Sequence, residues 1–325
     1  MTVTKNSLNR VSIFKREMQD LISYTRDLIR DSYRVTFEMD EMGELLLSVF
    51  RSNDFFVLKK QGKELIVIRE NLLRWVEEKL IPGTVILKID DEDLIRLLIF
   101  CIEITYQMFS GGTRATVTQK GFRERRRTFE SILVDQFIGK LGEVIVKKFL
   151  ENNFNVEIQL DWDISAELST HYKDIVNSEK KVSIKTSPSL AGIWAEADIG
   201  YDYGISVKCS VPKAPILQFF IEVCGFLRLL DFAESKIPQT DIQFQKYISG
   251  IKERIIEYKC GHLKTEIKGF ICGYFNTRCY SPVEEGTNLP FLGKVREKRF
   301  LVPINELKYK KEDWQNFLKD TGLVV

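Results

Sequence analysis

Apolar residues in the middle of the chain recur at three- and four-residue intervals: Phe129, Ile132, Leu133, Phe137, Leu141, Val144, Ile145 and Phe149. That is the spacing of a helix with one buried face. Glu143 falls beside the stripe, and Gly139 and Gly142 precede it at helical spacing. A glycine in mid-helix costs about 1 kcal/mol relative to alanine, so the pair predicts close approach of another backbone, as from a sheet under the helix. The period then changes. From 154 to 164, Phe154, Val156, Ile158, Leu160, Trp162 and Ile164 alternate with Asn155, Glu157, Gln159, Asp161 and Asp163, which predicts a half-buried strand, broken near Asp163. Segments 172–176 and 182–186, joined by Asn177-Ser178-Glu179-Lys180, predict a hairpin. Period two puts Ser183 and Lys185 on one face and Val182 and Ile184 on the other. In the simplest register Asp174 lies opposite that polar end, with Glu143 above both.

Outside this region the pattern predicts helices at 14–33, 94–109, 216–232 and 311–320, and an apolar stretch at 45–50. It also predicts strands at 55–59, 65–68, 205–209, 268–275 and 299–304. Ser110-Gly111-Gly112 suggests a boundary. It would divide a mixed, mainly helical N-terminal domain (1–110), suited to DNA recognition or dimerisation, from a second domain (111–325). There is no internal repeat, low-complexity tract or glycine-rich phosphate loop. Gly293-Lys294-Val295 lacks the upstream glycine and the Ser/Thr of a P-loop.

An acid on a helix, an acid near a strand and a lysine closing the next strand suit phosphodiester chemistry. Magnesium takes hard oxygen ligands, commonly one or two carboxylates with waters and phosphate oxygens. Glu143 and Asp174 can supply the carboxylates, and the carbonyl of Ile184 a further oxygen. Lys185 is placed to stabilise charge on the transition state or to orient the attacking water. Asp161 and Asp163 are rivals for the first acid, because their alternation also aims them at one face. Each residue has a plainer reading too: a solvated helical glutamate, a turn-flanking aspartate and a lysine reaching out from an exposed face.

The order helical Glu143, Asp174, then Ser183-Ile184-Lys185 resembles the PD-(D/E)XK nuclease superfamily, the fold of many restriction endonucleases, over roughly 128–208. The resemblance implies an α/β fold with a restriction-endonuclease-like central mixed sheet flanked by helices, and magnesium held between the acids of the second and third strands. Asp174 matches the first acid and Lys185 the lysine. Ser183 stands where the pattern wants Asp or Glu, and is a candidate catalytic position for that reason. Glu143 sits where several members carry an additional acid and can supply the missing carboxylate. The implied function is a magnesium-dependent type II restriction endonuclease acting on double-stranded DNA, expected as a homodimer because two sites are needed to cut both strands in one encounter. A junction-resolving or repair nuclease of the same fold, and a DNA-binding module that has lost its metal, are the alternatives.

Composition adds bounds. The 325 residues are 44% hydrophobic and 29% charged, as in an ordinary globular chain long enough for two domains. The absence of a long apolar run or hydrophobic leader predicts a cytoplasmic protein with no membrane partner. The six cysteines form no CxxC pair, and Cys260, His262, Cys272 and Cys279 have irregular spacing for zinc. With only His171 and His262 present, a histidine-centred triad is disfavoured. A net charge of +2 does not argue for nucleic acid, but 110–127, SGGTRATVTQKGFRERRR, is strongly basic. Arginines just before a helix oppose its dipole, which points to phosphate contacts by Arg114, Lys120, Arg123, Arg125, Arg126 and Arg127. Ser187, ending the lysine strand, is a further expected DNA contact. Lys181, Lys185, Lys208 and Lys213 are expected to flank the site, with Trp194 on a connection between strands.

Overall fold

The structure, a computed structural model, describes residues 2–3, 16–62, 64–88, 91–110, 129–163, 173–211, short runs between 231 and 253, and 266–324. The expected helix at 216–232 lies outside these residues but for Asp231, and the basic segment 111–128 lies outside them entirely.

The fold is mixed α/β around a four-stranded mixed sheet. Its strands are β4 (Thr84–Lys88), β8 (Glu266–Asn276), β7 (Tyr203–Ser210) and β5 (Val182–Ser187), in that spatial order. β4 and β7 pair antiparallel with β8, and β5 pairs parallel with β7. Every residue of β7 is buried, so this strand is covered on both faces. One cover is the long helix α5 (Phe129–Phe154), whose Ile145 fills the space a Cβ would need at Gly269 of β8. The other cover includes α1 (Arg16–Tyr33) and α2 (Met39–Ser52), with Phe37 between them stacked at 5.8 Å on Phe270, the next residue of β8. Successive residues of one strand therefore serve opposite layers, as the pleat requires. The apolar positions of α5 are wider than a single stripe, with 140–146 continuously buried, as befits a helix enclosed on several sides.

The expected boundary at 110 is corrected. β4 pairs with β8, and α4 (Glu92–Ser110) places Leu94, Leu97, Leu98 and Cys101 in the same core as Leu133, Phe137 and Leu141 of α5. A second core draws on residues up to about 80 and takes in Leu190 and, from β8, Phe270. It is built from α1, α2, β2 (Leu58–Gln61), β3 (Glu64–Val67) and α3 (Arg69–Trp75), with β1 (Thr2–Val3) added to the β3 edge. This unit is pinned to the sheet by buried polar contacts. Lys208 donates to Ser48 Oγ at 2.6 Å and to the Leu190 carbonyl at 2.9 Å. Lys268 lies 3.3 Å from Glu41, and Lys79, paired within the unit to Asp54 at 2.6 Å, donates to the Ile304 carbonyl at 2.9 Å. Removing one member of a buried ion pair typically costs about 3–5 kcal/mol, so these contacts hold the two cores in one arrangement.

Two sequence-predicted elements around the site also change. In the described part of segment 154–164, up to Asp163, no ladder strand forms: α5 continues to Phe154, and among these residues only Leu160 makes a bridge, with Ile175. The alternation nevertheless survives as burial, with Val156, Ile158 and Leu160 inside and Glu157 and Gln159 outside. The hairpin is not formed either. The turn backbone is engaged elsewhere, Glu179 N–H donating to the Thr321 carbonyl at 2.9 Å, at the end of α6 (Lys311–Asp320). Residues 175–177 lie against 157–160 instead, with Val176 N–H on the Gln159 carbonyl at 2.8 Å and Gln159 N–H on Asn177 Oδ1 at 2.9 Å. The partner of β5 is the more distant β7, reached by a crossover that contains β6 (Trp194–Ala197). Trp194 lies on this connection as expected, within β6, which itself pairs with β11 (Phe300–Pro303).

Candidate functional site

β5 is the edge of the sheet, so one side of it carries backbone groups that β7 does not use. Asp174 meets that side: its Oδ2 accepts the Ile184 N–H at 2.6 Å. In an extended strand the N–H and C=O of one residue project to the same edge, so the Ile184 carbonyl also points to the Asp174 side. Above the strand runs α5. A Cβ at Gly142 would lie 1.6 Å from Thr186 Oγ1, so only glycine lets this helix lie so close to β5. Gly139 is not crowded in this way, although its carbonyl accepts the Thr186 hydroxyl at 3.4 Å. The close approach at Gly142 brings the next residue, Glu143, into a cleft of about 830 Å³ that Asp174, Ile184, Lys185 and Thr186 also line.

The cleft concentrates acids. Glu143 is 5% exposed, and burial pushes its carboxyl up to about 8, with Asp174 and Asp161 adding to the rise and Lys140 opposing it. Lys140 Nζ donates to Glu143 Oε2 at 2.5 Å and also to the Asp161 carbonyl. The ammonium lies 5.2 Å from the ring centre of Phe100 and 5.0 Å from that of Trp162, within cation–π range. Tyr201 is raised above its ordinary range first by burial and then by Asp174, Asp198 and Glu143, which places its phenol in the field of the same acids. Lys185 reaches Asp198 Oδ2 at 2.5 Å. Both side chains are about two-fifths exposed, at 38% and 42%, so this ion pair is screened and exchangeable.

Glu143, Asp174, Ile184 and Lys185 are therefore brought together. Of the rival acids, Asp161 and Asp163 also line the cleft, but Asp174 is the one bonded to β5. Ser183 is buried at 1% exposure and does not line the cleft. Ser187 is engaged in its own turn, accepting the Ser189 N–H at 3.1 Å. Lys208 sits beneath α2, away from the cleft, where burial lowers its pKa; this corrects the expectation that it flanks the site. Arg114, Lys120, Arg123, Arg125, Arg126 and Arg127 lie outside the described residues, as do Lys213, Cys260, His171 and His262. Cys272 is buried and Cys279 exposed.

Lys140, Asp198 and Tyr201 were missed. Lys140 stands three residues before Glu143 and was visible as a same-face helical neighbour. Asp198 and Tyr201 follow β6, and no local spacing announces that this crossover returns to Lys185.

Among the described residues no three of His, Cys, Asp and Glu come close enough to form a metal-binding group. The donor set here is smaller: two carboxylates and an edge carbonyl. All are hard oxygens, fitting magnesium, which keeps much of its water, rather than zinc, which takes four protein ligands of N and S type in structural sites. No family model, curated protein or solved structure matches the chain.

The position of Glu143 has a consequence for stability. Its folded-state pKa of about 8 exceeds the ordinary 4.5, so between those values the folded protein holds a proton that the unfolded chain has released. Stability then falls as pH rises through this window and levels off above it. Thermal melting in chelator across pH 5 to 9 should show the decline in wild type and a flatter profile in Glu143→Gln; identical slopes would mean that Glu143 titrates as an ordinary carboxylate.

Proposed function

We propose that the protein is a magnesium-dependent DNA endonuclease of the restriction type, acting as a homodimer on double-stranded DNA. The observation that carries this reading is the Asp174 carboxylate on the Ile184 N–H, one residue from Lys185, with Glu143 in the same cleft. The mixed sheet with a helix across its β5 edge is compatible with the restriction-endonuclease-like arrangement.

Asp174 and Glu143 would hold the ion, together with the Ile184 carbonyl. When bound, magnesium polarises a phosphoryl oxygen and lowers the pKa of attached water. Asp174 is oriented by the backbone bond it accepts. Glu143 is held by Lys140, which donates to its Oε2; with its carboxyl raised to about 8, binding of the ion would displace the proton it carries at neutral pH. Lys185 binds a non-bridging phosphate oxygen by exchanging Asp198 for the substrate, and its charge offsets that developing on the phosphorane. Tyr201 and Phe100 wall the cleft and limit water around these groups.

A binding module that has lost its metal is favoured by one feature, Ser183 in place of the third-strand acid. Unmethylated phage DNA incubated with the protein and magnesium separates the readings. Discrete fragments support a site-specific endonuclease; a mobility shift indifferent to magnesium, with the DNA left intact, supports the binding module.

A further inference from the structure

The short hairpin of β9 (Asn288–Leu289) and β10 (Gly293–Lys294) carries an apolar tip in an unusual backbone. Leu292 N–H closes a turn onto the Leu289 carbonyl at 3.3 Å. Pro290 holds the second position, and Phe291 the third with φ +61°. Turns with positive φ at that position select glycine or asparagine, and a bulky residue there is an outlier. Phe291 nevertheless occupies it, 51% exposed, beside Leu292 at 41%. A strained backbone holding two apolar side chains in water does not serve the fold, and such outliers cluster where a surface meets a ligand.

The surroundings indicate the ligand. The Arg51 guanidinium lies 4.6 Å from the centre of the Phe291 ring, and Lys294 and Arg296 are exposed close by in the same hairpin and its exit. Neither Lys294 nor Arg296 forms an ion pair among the described residues. An apolar wedge edged by cations suits a polyanion with an apolar, stackable interior, which is duplex DNA; Phe, Leu and Pro are the side chains that enter base steps. The tip is also fixed relative to the cleft. Trp194 Nε1 donates to the Pro290 carbonyl at 2.8 Å, and Trp194 opens β6, the strand that leads to Asp198 beside Lys185. Four extended residues span about 13 Å, so the anchor of the tip and the cleft fall within one turn of duplex.

We infer that Pro290, Phe291 and Leu292 form a wedge that enters a base step of the bound duplex and unstacks it near the cleavage site. This rests on the DNA reading above. The probe is a 30-base-pair duplex with 2-aminopurine at alternate adenines and a dye at each end, in calcium to prevent cutting. Wild type should brighten 2-aminopurine and raise end-to-end energy transfer. Phe291→Ala with Leu292→Ala should lose both signals and bind about tenfold more weakly, with an unchanged melting temperature because both side chains are exposed. Phe291→Gly, relieved of its positive-φ strain, should melt higher than wild type and still fail to unstack. Wild-type binding without brightening or bending, or a double variant that brightens and bends DNA as wild type does, overturns the wedge and leaves the nuclease reading standing. If wild type does not bind the duplex at all, both readings fail.

Discussion

Asp174→Asn is expected to lose magnesium-dependent DNA cleavage by about 100-fold or more while binding the same duplex with wild-type affinity. The amide keeps an oxygen that can accept the Ile184 N–H, which Asp174 Oδ2 meets at 2.6 Å, so the strand edge stays satisfied and only the charge is removed. Asp174→Ala confounds two effects. It removes the proposed ligand and also orphans a buried N–H, at about 1–3 kcal/mol. Single-turnover cleavage with a parallel mobility-shift titration separates chemistry from binding, and an Asp174→Asn variant that cuts at the wild-type rate removes this residue from the site.

The second large effect is on stability. Gly142→Ala should destabilise the protein by about 3 kcal/mol, the upper part of the overpacking range, even though alanine is the better helix former. The added Cβ would lie 1.6 Å from Thr186 Oγ1 and 2.8 Å from Thr186 Cβ, so α5 must lift from β5. The same displacement carries Glu143 away from Asp174, and cleavage should fall with it. Thr186→Ala removes the hydroxyl and methyl but not the Cβ, so it should recover part of the loss. Denaturant midpoints of the two single variants and the double variant measure this coupling; strictly additive losses would mean that the helix does not touch the strand at this point.

Gly142 also shows what local sequence makes legible. The two glycines predict the close approach of another backbone; at Gly142 the approach is there but is made by the Thr186 side chain, and at Gly139 nothing crowds the helix. The closing helix at 311–320 and the strands near 205–209, 268–275 and 299–304 were likewise legible, because each is specified by its own periodicity. Strand partners were not. β5 was expected in a hairpin with the segment immediately before it, whereas it pairs in parallel with β7 across a crossover, and period two does not identify which strand lies alongside. The alternation of 154–164 reported a true pattern of burial but not a ladder, since one side of a segment can face the core while its backbone bonds to a loop. The domain boundary failed for a related reason: β4 joins a sheet whose other strands come much later in the chain, and α4 packs in the same core as α5. Within the site, Glu143, Asp174 and Lys185 could be proposed from type and order, whereas Asp198 and Tyr201 reach the cleft only through the path of β6.

The most direct test of the central claim is the rate of phosphodiester cleavage in unmethylated phage DNA as the divalent ion is removed and restored. Purified protein in excess chelator should leave the DNA intact. Magnesium added back should restore cutting in wild type and leave Asp174→Asn inactive. Cleavage that continues undiminished in excess chelator would contradict a metal-dependent mechanism in the cleft between α5 and β5.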